Sequence, residues 1–130
     1  MTADGTQMIP PGPQGLDEVA FLRLLTSAGA TDGPELMRRL RTDLGHLVAG
    51  LTEAFGTGDR AALRTHSHVL VAIAGTIGAR HIHRQAQALN ECAKDPACVL
   101  SAFDAADLMR RLDVLINRLR EIAIDLGLEG

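Results

Sequence analysis

Histidine is the side chain in this sequence with most chemistry to offer near neutral pH, and it is unevenly placed. Four of the five histidines, His66, His68, His81 and His83, fall between Arg60 and Asn90. The same stretch holds four arginines and no Asp or Glu, although the whole chain carries a formal net charge of −3. A local positive region of this kind favours an approaching carboxylate cluster or phosphoryl group. Neutral imidazole supplies a ring-nitrogen lone pair that serves as base, nucleophile or metal ligand. The metal role is disfavoured by spacing. His66 and His68 are two residues apart, as are His81 and His83, which on a helix is about 200° and too far around for one ion. No carboxylate stands nearby to complete a shell, so no metal site is expected. Cys92 and Cys98 sit six apart across Asp95-Pro96, where a local disulfide is conceivable. For a chain with no export signal, two reduced, half-buried thiols are expected instead.

These residues need elements to position them, and the hydrophobic spacing supplies helices throughout, with no alternating run that reads as a strand. Residues 1–15 hold three of the five prolines and read as a flexible N-terminal arm; residues 16–130 form the domain. Leu16 to Ala28 reads as a short amphipathic helix with Val19, Leu22 and Leu25 on one side, ended by Gly29. Asp32-Gly33-Pro34-Glu35 then offers a capping Asp and a Pro in the first turn. The helix that follows carries Met37, Leu40, Leu44, Leu47, Leu51 and Ala54 in steps of three and four, and stops at Gly56-Thr57-Gly58. Asp59 caps a third helix from Arg60 to about Ile77, ended by Gly78. A fourth spans about Arg80 to Lys94, with Ile82, Ala86, Leu89 and Ala93 inward, and Asp95-Pro96 breaks it. Ser101-x-x-Asp104 opens a last helix that lines up Leu108, Leu112, Leu115, Leu119, Ile122 and Leu126. Short loops make consecutive helices antiparallel. The expected fold is all-α, an antiparallel four-helix bundle with a short extra N-terminal helix. The seams read as intramolecular core, so a monomer is expected.

The third helix presents the chemistry outward. At 100° per residue, Leu63, His66, Leu70, Ile73 and Ile77 point to the core, and His68 points the opposite way. Around His68 lie Ala61, Arg64, Thr65, Val71, Ala72, Gly75 and Ala79. An ordinary solvated face shows Glu, Lys and Gln. Here one imidazole stands in a patch of small side chains, with an arginine one turn before it, and a partner's surface can approach the ring closely. Gly75-Thr-Ile-Gly78 is a helix end rather than a nucleotide loop, because no strand precedes it.

Composition excludes several alternatives. The chain has 130 residues, enough for one domain with a core of its own. It is 46% hydrophobic and 22% charged, the balance of a globular chain. Three phenylalanines are the only aromatics, so stacking on bases is unavailable, and the acidic balance argues further against nucleic acid or an anionic membrane surface. The longest apolar stretch, Val69 to Ala74, is far short of the ~20 residues of a membrane span. The N-terminus lacks the pattern of a signal peptide, and a cytoplasmic protein is expected.

The stretch His68-Val-Leu-Val-Ala-Ile-Ala-Gly-Thr-Ile-Gly78-Ala79 resembles the histidine-containing phosphotransfer (HPt) domain. In that family a His is followed by Leu two residues on, then Lys-Gly, small residues, an aliphatic residue and Gly-Ala. Leu70, Ala74, Ile77, Gly78 and Ala79 match, and His68 falls on the phosphorylated position. The likeness runs from Leu16-Asp17 through Gly58-Asp59 to the last helix. The family's fold, a four-helix bundle preceded by a short helix, agrees with the reading above. Val71 stands where the family usually has Lys, Ala72 where it usually has Gly, and Asn90 replaces a Glu common in the next helix. Loss of the Lys removes a cation beside the phosphoryl group, for which Arg64 and Arg84 are the candidate replacements.

The resemblance implies a phosphorelay intermediate of two-component signalling. His68 takes a phosphoryl group from a receiver-domain aspartate and passes it to another receiver, with Arg64, Thr65, Val71, Ala72, Gly75 and Arg84 as docking and phosphate-neighbouring residues. The implied partners are response-regulator receiver domains and a hybrid histidine kinase. The receiver supplies the phospho-Asp, the Mg²⁺ and its catalytic lysine, so the chain has no cofactor of its own and no ATP-dependent kinase activity is expected. The alternative is an HPt-like protein that docks receivers without useful transfer, given Val71 and Ala72.

Overall fold

Leucine steps of three and four do build helices here. In the computed structural model, which describes residues 16–128, four helices follow one another: α1 (Glu18–Thr57), α2 (Arg60–Ile77), α3 (Arg80–Lys94) and α4 (Ala102–Asp125). The fold is an all-α four-helix bundle, and no strand forms among the described residues. The expected 1–15 arm lies outside them.

α1 is two arms joined at Gly29, whose φ of 91° and ψ of 178° interrupt the helix. The 18–28 arm is the expected short extra helix. Its start differs from the sequence reading: Asp17 is the cap, accepting from the Ala20 amide at 3.1 Å. The next arm begins directly after Gly29, so Asp32 lies within its first turn, where a carboxylate suits the helix dipole, rather than at the cap. Gly33 is buried against the Leu25 carbonyl, which a Cβ would approach to 3.1 Å, so the glycine lets the two arms fold closely together. The buried face of the 18–28 arm is also corrected. Phe21 and Leu25 are buried, whereas Val19 and Leu22 are 46% and 39% exposed.

The remaining boundaries follow local chemistry. Asp59 caps α2 through the Ala62 amide at 3.0 Å, and Ser101 caps α4 through the Asp104 amide at 3.1 Å. Gly58 and Gly78 end α1 and α2 in the left-handed conformation, φ 71° and 79°, which glycine adopts without a Cβ penalty. At Gly78 the segment leading into α1 also docks: the Asp17 amide donates to the Gly78 carbonyl at 3.1 Å, beside a Leu16–Ala79 bridge. α1 packs on α2 and α4, and α3 packs on α2 and α4, so the four helices close a ring around one core. Leu40, Leu44, Leu47, Leu51, Leu63, Leu70, Ile82, Leu108, Leu112, Leu115 and Leu119 fill it. Each such side chain contributes roughly 1.5–3 kcal/mol by leaving water. Leu126, expected in the seam of α4, is 48% exposed because the helix has already ended at Asp125. No helix among the described residues is long and apolar enough to cross a membrane.

The cysteines are the largest departure. Cys92 and Cys98 form a disulfide, not two reduced thiols, because the Asp95-Pro96 turn brings their Cα atoms to 5.3 Å. The Arg60 guanidinium, at the start of α2, donates to the carbonyls of Cys92, Asp95 and Cys98 and fastens the same loop. A cross-link closing so short a loop contributes about 2 kcal/mol in the chain-entropy account. Reduction, or the Cys92→Ser/Cys98→Ser double variant, is therefore expected to lower the unfolding free energy by about 2 kcal/mol while leaving helicity unchanged, as read by urea titration followed by circular dichroism.

Two ion-pair groups tie α4 to its neighbours. Arg118 forks onto Glu18 at 2.6 and 2.7 Å, joining α4 to the first arm of α1, and this bond holds the Glu18 carboxyl below its usual range. Asp107 is held down to about 2, from an ordinary 3.8, first by the hydrogen bond from Arg111, then by those from Arg110 and from Gln85 of α3. A carboxyl with a depressed folded pKa adds stability above its unfolded pKa and loses it as pH falls through the folded one. The melting temperature is thus expected to drop as pH falls from about 4 towards 2, and Asp107→Asn to flatten that drop in scanning calorimetry.

Candidate functional site

The stripe of α2 that enters the core is Leu63, Ser67, Leu70, Ala74 and Ile77, each buried. This is rotated by about 40° from the sequence reading at 100° per residue. His66 and Ile73 consequently sit at the flank and are half-buried. The cause is a buried polar clamp. Ser67 is fully buried, its hydroxyl donating to the Arg64 carbonyl at 3.1 Å. Asn90 of α3, 8% exposed, donates from Nδ2 to the Arg64 carbonyl at 3.0 Å and to Ser67 Oγ at 3.1 Å. A buried polar pair is kept only where its bonds are made, and these bonds roll α2 so that Ser67 faces α3.

His68 remains on the outer side after this rotation, about 140° from the core direction. It is exposed, and no hydrogen bond or ion pair holds its ring among the described residues. Arg64, Thr65, Ala72 and Gly75 are exposed with it, and Val71 is half-buried. The structure therefore puts five of the predicted neighbours on the same side of one helix. Arg64 stands one turn before His68 and carries no ion pair among the described residues. Arg84 is different: it is exposed but lines a cleft of about 590 Å³ between α3 and α4, with His81, Gln85 and Asp107. Nothing among the described residues links it to His68, which leaves Arg64 as the better-placed cation.

The other histidines have separate places. His66 lies against α1, where Gly50 is bare; a Cβ there would meet His66 Nε2 at 2.5 Å. The ring thus marks the close approach of α1 and α2. His83 is half-buried, its Nδ1 3.0 Å from the Val71 carbonyl, and its ring lies over Gly75. No group of three or more His, Cys, Asp or Glu side chains that could hold a metal occurs among the described residues.

Sequence reasoning did not find Ser67, Asn90 and His83 as a set. The available signal was a Ser in register with Leu63, Leu70, Ala74 and Ile77, and an Asn close to the Ile82, Ala86 and Ala93 stripe. Such polar residues at core positions call for partners on a facing helix.

What the face can do follows from its parts. It offers a solvent-facing imidazole, an arginine one turn away, no carboxylate on α2, and small side chains that keep the surface low. It suits attack by a ring nitrogen on an electrophile carried by another macromolecule. Comparison with known proteins finds no matching family model, curated protein or solved structure.

Proposed function

We propose that this chain is a phosphorelay carrier of two-component signalling, with His68 as phosphoacceptor. The observation that carries this reading is the exposed His68 ring on a low, carboxylate-free face of α2. The match of Leu70, Ala74, Ile77, Gly78 and Ala79 to the HPt pattern supports it, as does the bundle fold with its short first arm.

In the transfer, a ring nitrogen of neutral His68 attacks the phosphorus of a receiver's aspartyl phosphate in line. The nitrogen–phosphorus bond forms as the bond to the aspartate oxygen breaks, and the carboxylate leaves with its electron pair. A second receiver's aspartate reverses the step. The receiver brings Mg²⁺ and neutralises the oxygens, while this chain brings the nucleophile, the Arg64 charge and the surface that aligns them. The role makes the chain a monomeric partner of receiver domains and a hybrid histidine kinase, without ATP chemistry of its own. It also places the chain in the cytoplasm.

The test is transfer from a panel of receiver domains, each phosphorylated beforehand on its Asp. A mass gain of one phosphoryl group that is stable in base and lost in acid is expected. Measurable receiver binding with no mass gain from any donor would select a docking protein without transfer. Ala72→Glu is expected to weaken receiver binding at least about tenfold, because it sets bulk and negative charge on the contact face. Unchanged affinity by calorimetry would move the docking surface elsewhere.

A further inference from the structure

α3 reaches α2 at two backbone carbonyls, and both belong to the turns that flank His68. One is the Arg64 carbonyl, which in helical register also receives the His68 amide and which Asn90 Nδ2 joins at 3.0 Å. The other is the Val71 carbonyl, which receives the Gly75 amide in the same way and lies 3.0 Å from His83 Nδ1. A carbonyl oxygen only accepts, so Nδ1 carries the proton and donates. The ring reaches this carbonyl because residue 75 has no side chain: a Cβ there would stand 3.2 Å from His83 Cε1 and 3.3 Å from Nδ1. Most side chains that cross between helices bury apolar groups. These two instead hold the helix backbone, one turn before and one turn after the exposed imidazole.

We propose that His83, together with Asn90, is a positioning residue for transfer at His68. By fixing the Val71 and Arg64 carbonyls, α3 sets the line of the α2 backbone across Val71, Ala72 and Gly75, the low face that a receiver must approach. The inference rests on the phosphorelay reading above. It also gives Gly75 and Val71 a role that needs neither a lysine nor a side chain of their own: one admits the His83 ring and the other offers its carbonyl. A face recognised by close approach of small residues depends on where its backbone lies, so loosening it acts on docking before it acts on the reactivity of the imidazole.

The experiment compares two phosphoryl donors on the same variants. A phosphorylated receiver domain must dock. Phosphoramidate needs no docking: a His68 ring nitrogen attacks its phosphorus, the P–N bond breaks and ammonia leaves. His83→Leu removes the donor at similar size, and His83→Gln keeps an N–H donor. For His83→Leu, the KM for the receiver is expected to rise about fivefold, as for loss of one hydrogen bond, with kcat and the phosphoramidate rate changed by less than about twofold. His83→Gln is expected to restore the KM to within about twofold of wild type. If His83→Leu does not fold, by circular dichroism, His83→Ala carries the same expectation. An unchanged receiver KM, equal slowing with both donors, or failure of His83→Gln to rescue would overturn the positioning role while leaving His68 as acceptor. A wild-type chain that neither donor labels would overturn the phosphoacceptor reading itself, and this inference with it.

Discussion

Replacing His68 by Gln is expected to abolish phosphorylation completely while leaving the domain as stable as wild type. The two halves of this expectation have separate causes. Gln has no ring nitrogen to attack phosphorus, and neither nearby histidine shares the exposed face of α2: His66 is turned about 160° away against Gly50, and His83 stands on α3, half-buried against Gly75. The stability half follows from exposure. The His68 ring faces solvent without a hydrogen bond among the described residues, and substitutions at such positions usually change stability by less than about 0.5 kcal/mol. Intact mass after incubation with phosphorylated receivers checks the first half, and urea unfolding checks the second. A His68→Gln chain that unfolds would mean the ring is part of the packing, contrary to its placement on the outer side of α2.

Leu112→Ala gives the converse result, loss of stability at a distance from the chemistry. Leu112 is fully buried in α4, between Leu108 and Leu115, in the core that all four helices share. Truncation removes the transfer free energy of the lost carbons and leaves a cavity that packed neighbours fill only in part, a loss of about 2–5 kcal/mol. Against a typical total of about 5–15 kcal/mol this is a large fraction, and the denaturation midpoint in urea should fall with the slope unchanged. A loss below about 1 kcal/mol would mean that the site collapses around the alanine or that α4 packs less tightly than its burial indicates. Where the variant remains folded, phosphotransfer to His68 should persist, since α4 touches neither the α2 face nor the two carbonyls held by α3.

The parts of the fold legible in the sequence are those that local chemistry decides. Met37 through Ala54 repeat in steps of three and four over five turns, so the buried face is over-determined, and all six expected positions are buried. Gly58-Asp59, Gly78 and Ser101 mark their boundaries through backbone conformation and capping, which need no distant partner. The parts that were not legible depend on other elements. The 18–28 arm is short and has apolar residues on both sides. Its burial of Phe21 and Leu25 over Val19 and Leu22 is tied to the fold-back at Gly33 and the Glu18–Arg118 pair. The roll of α2 is set by Asn90 finding Ser67, a contact across 23 residues. The disulfide requires a geometry that a spacing of six permits but does not dictate.

The outward placement of His68 was legible because it is nearly opposite the apolar stripe, where a rotation of about 40° does not reach it. What surrounds it was only partly so. Arg64, Thr65, Ala72 and Gly75 share its side of the helix by periodicity alone, whereas Arg84 belongs to another helix and lines the α3–α4 cleft. The bonds from His83 and Asn90 to the α2 backbone have no sequence signature beyond the presence of a polar side chain, because their acceptors are carbonyls that every residue has.

The most direct test of the central claim is to locate the phosphoryl group. Wild-type chain is incubated with phosphorylated receivers, then examined at basic pH by phosphorus NMR and by mapping of peptides spanning α2 and α3. The account predicts one phosphohistidine, on His68, lost on acidification and absent from His68→Gln. A phosphoryl group on another side chain, or none on the folded wild-type chain from any receiver of the panel, would contradict it.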